Sequence, residues 1–268
     1  MGRELMTRRF PFLLPARQWQ RKKCYYMGMR LDGSRYASRK EALFPYELAG
    51  AKSLLVNERT GMDIKYQYNK IHNLRLASEA VSRVVIHPGE TFSLWWLARH
   101  ADKRERYKDG LCVVCGKLTA VYGGGLCQLS NTLFWLFLHT PLTIVERHPH
   151  GVKEFPNPSP DDPSGVDATI LEGWLDLRAR NDTREPMQIE LDQDETRYYG
   201  RILVPTAPER VYDVMNENLR YYKRDGKAYE SVDVIRRTIR KETGEVLGRE
   251  RLYTNVTEVG YEIEIGKV

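Results

Sequence analysis

A run of three glycines that leads into a strongly apolar segment constrains this chain more than any other feature of its sequence. Gly123, Gly124 and Gly125 are followed, from Leu126 to Leu138, by leucine and aromatic residues at the three- and four-residue spacing of a helix face. Glycine permits a positive φ and a close approach of the backbone to another group. The pattern therefore predicts a tight turn that opens a buried central helix.

Cys127 lies in the first turn of this predicted helix. The unpaired N–H groups and the dipole at a helix N-terminus favour an anion, and they promote the thiolate form of a cysteine placed there. Cys127 is therefore the candidate nucleophile of the chain. The alternative is a small core residue, because free cysteine is among the most buried residue types.

The segment after the central helix supplies candidate partners for this thiol. A strand predicted over 143–147 delivers His148 and His150 at its end, and imidazole is the usual base for a thiol nucleophile. Asp167 is the candidate third group that orients the imidazole, unless it caps a turn of its own loop. Arg147 either binds a substrate carboxylate through a bidentate fork or pairs with a neighbouring acid.

Several motifs surround these residues in a fixed order. They are NKIHN at 69–73, PGETFS at 88–93, GKL at 116–118, GGGLCQLS at 123–130, ERHPH at 146–150, DAT at 167–169 and DLR at 176–178. In this order they resemble the VanW family, which takes its name from a glycopeptide-resistance gene cluster. The resemblance covers about residues 69 to 204.

The resemblance carries expectations about function. VanW proteins are associated with the cell wall, and some VanW domains act as cysteine L,D-transpeptidases on peptidoglycan stem peptides. For this chain the resemblance implies acyl transfer through a thioester on Cys127. It favours His150 as the base, because the family pattern separates Glu-Arg from its histidine by two residues, and His148 is the second choice. The expected partner is a peptidoglycan precursor or stem peptide.

The same motifs supply candidate substrate-binding residues. The resemblance places His72 and Asn73 at the site in a supporting role, although a histidine near a helix start is usually a surface group. Backbone N–H groups of Cys127 and Gln128 are the candidate oxyanion donors. The full set assigned to substrate binding is Arg147, His148, Gln128, Ser130, His72 and Asn73.

Three functions remain open from the sequence. An amine acceptor would make the reaction a transpeptidation, and water would make it a hydrolysis. The third function is a non-catalytic accessory protein, linked to glycopeptide resistance, that binds cell-wall precursors or membrane-bound partners. Covalent modification of Cys127 by a stem peptide separates the two enzymatic functions from the third.

Positive charge is concentrated at the N-terminus. Residues 1–40 contain eleven basic and two acidic side chains, a net charge of +9, whereas the whole chain carries +6. This basic arm either lies on an anionic membrane surface or is a solvated terminal segment. The chain lacks zinc-finger spacing, an RNA-binding aromatic motif and a Walker loop, so nucleic acid is not an expected partner.

The apolar stretches and the cysteines limit which compartment and which cofactors are expected for this chain. The first apolar stretch, at 10–15, is six residues long and contains proline, which fits neither a signal peptide nor a membrane span. We therefore expect a cytoplasmic or membrane-peripheral protein. Cys112 and Cys115 form a Cys-x-x-Cys pair without a second pair at metal-ligand spacing. Neither a metal nor another cofactor is expected.

The secondary-structure patterns predict an α+β fold. Helices are expected over 70–82 and after Ser93, with a further capping start at Ser38. The expected fold is a mixed or antiparallel sheet packed on the buried central helix, with a C-terminal β-hairpin appendage. The predicted strands and turns are the hairpin 111–121, the strands 84–86, 169–171, 175–178, 187–191, 197–204, 211–222, 231–241 and 246–253, and a turn at 242–245.

The expected organisation has three parts. They are the basic arm 1–40, a VanW-like domain 41–204, and a β-rich appendage 205–268. A proline-rich segment at 155–165 is incompatible with a helix or an inner strand. It is expected to be a stiff connector or the rim of a cleft.

Overall fold

The computed structural model describes residues 12, 14–114, 117–153 and 164–263 of the chain. Its four α-helices are α1 (Leu14–Leu31), α2 (Lys65–Val81), α3 (Leu94–Ala98) and α4 (Cys127–Leu138), and a short 3-10 helix spans Glu58–Thr60. None of these described helices is long and apolar enough to cross a membrane.

Fourteen strands in the described ranges form four sheets. The first has the order β1-β4-β9-β7, the second β2-β11-β10-β3, the third β12-β13-β14-β8, and β5 pairs with β6 alone. Their bounds are β1 Arg35–Tyr36, β2 Tyr46–Leu54, β3 Val85–Ile86, β4 Glu90–Ser93, β5 Asp109–Val114, β6 Lys117–Tyr122, β7 Thr143–Glu146, β8 Val152–Lys153, β9 Arg178–Arg180, β10 Met187–Gln193, β11 Arg197–Val204, β12 Arg210–Arg224, β13 Lys227–Arg240 and β14 Val246–Val259.

The predicted α+β fold with a buried central helix is confirmed. Helix α4 contacts β2, β11 and α2, and most of its side chains are buried. Phe137 meets Phe92 of β4 with their ring centroids 5.0 Å apart. Gly200 of β11 makes room for the helix, because a Cβ at that position would lie 2.7 Å from the Leu136 side chain. Helix α4 therefore fixes the position of whatever lies at its first turn.

Helices α2 and α3 also agree with the sequence. Helix α2 begins at Lys65, one turn and a half earlier than predicted, and it buries Leu74, Ala77 and Val81 against the core. Ser93 caps α3 as expected, since its hydroxyl accepts a hydrogen bond of 3.0 Å from the Trp96 backbone N–H.

The helix predicted to start at Ser38 is wrong. The backbone there pairs with the chain around β3 instead: Val85 donates to the Arg39 carbonyl at 2.9 Å, and Lys40 forms a β-bridge with Val84. These contacts, about 45 residues apart in sequence, satisfy the backbone groups that a helix would have paired locally.

The strands predicted at 169–171 and 175–178 are also largely absent. This segment is a turn closed by a bridge between Leu171 and Leu175, and β9 begins only at Arg178. The backbone groups of this segment bond within the turn, as the Leu171 and Leu175 N–H groups each donate to the other residue's carbonyl at 2.9 Å. The buried Asp176 carboxylate then ties the segment to the start of α3, because it accepts hydrogen bonds from the Ser93 hydroxyl and the Trp95 N–H.

The C-terminal strands are confirmed. Strands β12, β13 and β14 form a long antiparallel meander, with the predicted turn joining the last two. Val214 and Val234 belong to the same buried cluster as α4, and β8 joins the edge of β14 in parallel. The C-terminal sheet thus shares the main core and reaches the segment that carries the candidate histidines.

The described part of the N-terminal arm contains α1, which the sequence analysis did not predict. Its inner face contacts the domain through Tyr25, which donates to the Asp176 carboxylate at 2.8 Å, and Tyr26, which donates to Glu172 at 2.9 Å. Met29 is buried beside them. Cys115 and most of the proline-rich segment, at 154–163, lie outside the described residues.

Candidate active site

The glycine turn before α4 packs closely against the neighbouring hairpin of β5 and β6. Gly123 and Gly125 have φ values of +70° and +91°, which glycine adopts without strain. Gly124 lies so near Gly110 of β5 that a Cβ on it would be 2.1 Å from the Gly110 carbonyl oxygen. The Asn73 side chain donates to the Gly124 carbonyl at 3.0 Å and to the Lys108 carbonyl at 2.9 Å. Asn73 therefore ties the turn to the segment before β5.

Gly124→Ala is expected to disturb this turn because the new methyl group collides with backbone. We expect the free energy of unfolding to fall by about 2 kcal/mol and Tm by about 6 °C. Thermal unfolding followed by circular dichroism measures the change. Gly28→Ala is the matched control, since nothing lies within 4 Å of a Cβ at Gly28. Equal Tm values for the two variants would contradict the tight packing of the turn.

Cys127 is the first residue of α4 and is half-buried. Within the described ranges its backbone N–H donates to no acceptor, whereas the Gln128 N–H donates to the Gly125 carbonyl at 3.3 Å. Of the two predicted oxyanion donors, the Cys127 N–H is therefore the one left unpaired. It points from the helix end that favours negative charge.

The structure brings Cys127, His150 and Asp167 together. The Asp167 carboxylate accepts hydrogen bonds from the His150 backbone N–H at 2.6 Å and contacts the His150 ring Nδ1 at 2.5 Å. The Cys127 side chain lies near enough to the same ring to raise the pKa of His150. Because Nδ1 is occupied by Asp167, Nε2 is the ring nitrogen left to exchange a proton with the sulfur. In space the sulfur, the imidazole and the carboxylate follow one another in the order of a catalytic triad.

The electrostatics of this group favour a protonated His150. Burial lowers the pKa of His150, but hydrogen bonds to Asp167 and Cys127 and the negative charge on both outweigh it and raise the pKa to about 10. For Asp167, burial raises the pKa, and the hydrogen bond from His150 and the charge of Arg147 lower it below its ordinary value overall. An imidazolium that faces a sulfur and is held by a carboxylate can give its proton to a leaving group.

The raised pKa predicts a pH dependence of stability. Because the folded pKa of His150, about 10, exceeds its ordinary 6.5, the protonated ring stabilises the fold fully below about pH 6.5, and this stabilisation is lost as the pH rises through 10. In Asp167→Asn the pKa of His150 is expected to fall, so the stabilisation by the protonated ring is lost at lower pH than in the wild type. Urea unfolding between pH 6 and pH 10.5 measures it, with NMR titration of the His150 ring. A ring titration that Asp167→Asn leaves unchanged would contradict the pairing.

Arg147 holds Asp167 from the other side. Its guanidinium donates to the Asp167 carboxylate at 2.7 Å and to the Asp167 and Gly165 carbonyls at 2.6 and 3.0 Å. It also donates to the Asn255 side chain of β14 at 3.1 Å. The guanidinium lies 5.1 Å from the ring centroids of both Phe134 and Tyr253. Of the two alternatives for Arg147, the structure contains the pairing with a neighbouring acid.

Ser130 and the neighbouring Asn131 position the segment after Asp167. The Ser130 hydroxyl donates to the Ala168 carbonyl at 2.5 Å, and the Asn131 side-chain oxygen accepts from the Ala168 N–H at 2.8 Å. Ser130 is fully buried, so its contacts are with the protein and not with solvent. Helix α4 thus carries Cys127 and, one turn later, the residues that fix Asp167 beside it.

Three of the other candidates have different partners. His148 contacts Glu146 at 3.0 Å, so its ring does not join the sulfur. His72 contacts the Arg106 carbonyl at 2.9 Å and supports the segment before β5. Gln128 donates to the Ser53 hydroxyl and the Leu54 carbonyl, both at 2.8 Å, and its buried side-chain oxygen has no described partner. Among these three, Gln128 alone is adjacent to Cys127 in sequence.

Three site residues were missed by the sequence analysis. Asn131 had a local signal, as a polar residue in the second turn of an apolar helix. Asn255 had none, since it lies 108 residues from Arg147 in a tail predicted to be an appendage. Lys70 packs its aliphatic part against Gly125, and burial lowers its pKa to about 8. No group of three or more metal-binding side chains occurs in the described part of the chain.

Comparison with known proteins identifies the family. The family model described as VanW like protein matches residues 69–203. Over 262 residues the chain is 49% identical to a protein of Enterococcus faecalis named Vancomycin B-type resistance protein VanW, and the alignment covers 97% of this chain and 95% of that relative. The chain belongs to the VanW-like family.

The VanW-like match confirms the family resemblance seen in the motifs and includes Cys127, His150 and Asp167. A second relative, from Bacillus subtilis and named Uncharacterized protein YoaR, is 32% identical over 152 residues, which is 57% of this chain and 46% of that protein. No solved structure matches the chain. Helix α1 and strands β12 to β14 lie outside the VanW-like segment.

Proposed function

We propose that this VanW-like protein is a cysteine-dependent acyl transferase that acts on peptidoglycan stem peptides. One observation carries the proposal: the His150 ring contacts the Asp167 carboxylate through Nδ1 and lies near enough to the Cys127 side chain for the sulfur to raise the pKa of His150. A buried structural cysteine needs neither partner. A thiol nucleophile needs a base within hydrogen-bond distance and a group that orients that base.

Each residue then has a defined part in acylation. The Cys127 thiol transfers its proton to His150, which forms the protonated ring that the site favours, and the sulfur attacks the carbonyl carbon of the scissile amide. The unpaired Cys127 N–H stabilises the negative oxygen of the tetrahedral intermediate. As the C–N bond breaks, His150 gives its proton to the departing amine, and the acyl group remains on Cys127 as a thioester. Asp167 stabilises the positive ring while it carries the proton.

The second half of the reaction releases the acyl group. An incoming amine gives a proton to His150 and attacks the thioester carbon, which forms a new amide and returns the proton to the Cys127 sulfur. A D-amino acid or the side-chain amine of a second stem peptide would complete a transpeptidation, and water would complete a hydrolysis. The E. faecalis relative is named for vancomycin resistance. For this chain we propose that exchange of stem-peptide termini is the chemistry that links it to glycopeptide resistance.

The test is turnover of defined stem peptides. Purified protein is incubated with a stem tetrapeptide or pentapeptide and an isotopically labelled D-amino acid, and the products are analysed by liquid chromatography and mass spectrometry. We expect a labelled product with the wild-type protein and at least a 1,000-fold lower rate with Cys127→Ser. Cys24→Ser, which changes an exposed free thiol on α1, is the matched control and keeps the full rate.

The alternative product patterns have distinct meanings. A shortened peptide without label indicates a hydrolase that uses the same thioester. Binding of stem peptide without any product, unchanged in Cys127→Ser, indicates the non-catalytic accessory protein and overturns the proposal.

A further inference from the structure

Helix α1 is fixed to the domain by one face and leaves the other face uncovered in the described structure. Tyr25, Tyr26 and the buried Met29 form its inner face. Met27 and Leu31 each lie two residues from Met29, which places them on nearly the opposite side of the helix at 100° per residue. Both are exposed, as Met27 has 58% and Leu31 has 78% of its surface accessible. Because the inner face is attached to the domain, the helix cannot rotate to bury Met27 and Leu31, and these side chains stay exposed.

Basic and aromatic residues accompany these apolar side chains. Helix α1 contains five basic residues and no acidic residue in its 18 positions. Trp19, on the helix, is 64% exposed, and Trp174, in the adjacent turn that follows Leu171, is 62% exposed. Tryptophan and basic residues interspersed with exposed apolar side chains are the composition of a surface that lies in a membrane interface.

A pocket separates α1 from the turn that carries Trp174. It has a volume of about 400 Å³ and is lined by Arg17, Arg21, Cys24 and Trp174, among others. The Arg21 guanidinium lies 5.9 Å from the Trp174 ring centroid, and its Nε atom is buried without a hydrogen-bond partner in the described structure. An unpaired guanidinium nitrogen beside a second arginine is suited to an anion, and a phosphate accepts hydrogen bonds from such a fork.

We propose that α1 and Trp174 form a docking surface for an anionic phospholipid bilayer, with a lipid phosphate bound between Arg17 and Arg21. Charge complementarity selects this occupant: residues 1–40 carry a net +9, whereas the rest of the chain carries −3. The excess positive charge therefore orients α1 towards an anionic surface. Met27 and Leu31 enter the headgroup region, and the domain behind the helix is held at the bilayer. This docking uses neither Cys127 nor His150, so it is independent of the proposed reaction.

The test is sedimentation of the full-length protein with vesicles. Vesicles of equal parts phosphatidylglycerol and phosphatidylcholine are compared with vesicles of phosphatidylcholine alone. We expect binding to the anionic vesicles only, weakened by salt. Arg17→Gln/Arg21→Gln is expected to lower the partition coefficient about 30-fold, about fivefold for each basic residue removed near an anionic surface. Trp174→Ala is expected to lower it by about tenfold.

Matched variants separate this surface from general charge and apolarity. Lys223→Gln/Lys241→Gln removes two exposed charges, one on β12 and one in the turn after β13, and Tyr68→Ala removes an aromatic side chain that is 61% exposed on α2. Both keep full binding if the proposal holds, as does Cys127→Ala. Circular dichroism and Tm verify the fold of every variant.

Several outcomes would overturn the proposal. They are no binding to either vesicle, equal binding to both, equal losses in the test and control variants, and binding to RNA but not to vesicles. Inorganic phosphate at 10 mM serves as a separate arm. If soluble phosphate protects Arg21 from chemical modification while the protein does not bind vesicles, the pocket is a site for a free anion. That result contradicts a docking surface.

Discussion

Replacement of His150 by glutamine is expected to lower the rate of acyl transfer about 1,000-fold. Glutamine fills a similar volume but cannot exchange a proton between the Cys127 thiol and the leaving amine. His148→Gln is expected to change the rate less than about threefold, because the His148 ring contacts Glu146 and not the sulfur. Initial rates of product formation with stem peptides, measured at saturating donor, give both values.

The paired histidine variants act as controls for each other. They lie two residues apart in one segment, so a general disturbance of that segment would lower both rates. Tm values within about 2 °C of the wild type would exclude unfolding as the cause of a loss. A larger loss in His148→Gln than in His150→Gln would contradict the assignment of the base.

Replacement of Arg147 by methionine is expected to lower the free energy of unfolding by about 3 to 5 kcal/mol. Methionine retains the aliphatic bulk between Phe134 and Tyr253, but it removes the hydrogen bonds that Oδ1 of Asp167 and two carbonyl groups accept from the guanidinium. The Arg147 side chain is only 11% exposed, so water cannot readily replace it. Differential scanning calorimetry is expected to show a Tm lower by about 6 to 20 °C.

Arg249→Met is the comparison for this variant. Arg249 pairs with Glu217 on the surface of the C-terminal sheet, and its side chain is 54% exposed. Surface ion pairs contribute between about 0 and 1 kcal/mol, so its Tm is expected to stay within a few degrees of the wild type. Similar Tm losses for the two variants would show that Arg147 has no special role in holding Asp167.

The central helix and its thiol could be predicted because their signals are local. The glycines before Cys127 and the apolar spacing after it are contiguous in sequence, and the turn and helix follow directly. The same holds for the strands β10 to β14, whose alternating side chains lie within single segments. The fold class therefore followed from the sequence.

The choice between the two histidines did not follow from local sequence. Pro149 separates them, and the direction of each ring depends on its carboxylate partner: Glu146 for His148 and Asp167 for His150. Arg147 is similar, since Asn255 reaches it from β14. Spacing along the chain does not predict contacts between residues so far apart in sequence. The family resemblance, and not the residues alone, therefore favoured His150.

Helix α1 was missed for a different reason. Its apolar residues are distributed around the helix, with Met29 inside and Trp19, Met27 and Leu31 exposed. No single apolar stripe marks it in the sequence. The inner face is instead attached through hydrogen bonds from the hydroxyl groups of Tyr25 and Tyr26. A search for hydrophobic periodicity does not detect such polar contacts.

Acylation of Cys127 is tested by the intact mass of the protein after a brief incubation with stem peptide and an acid quench. We expect a mass increase equal to one acyl fragment, mapped to Cys127 by peptide analysis and absent from Cys127→Ala. Saturating peptide binding with no mass increase, or an increase that persists in Cys127→Ala, would contradict it.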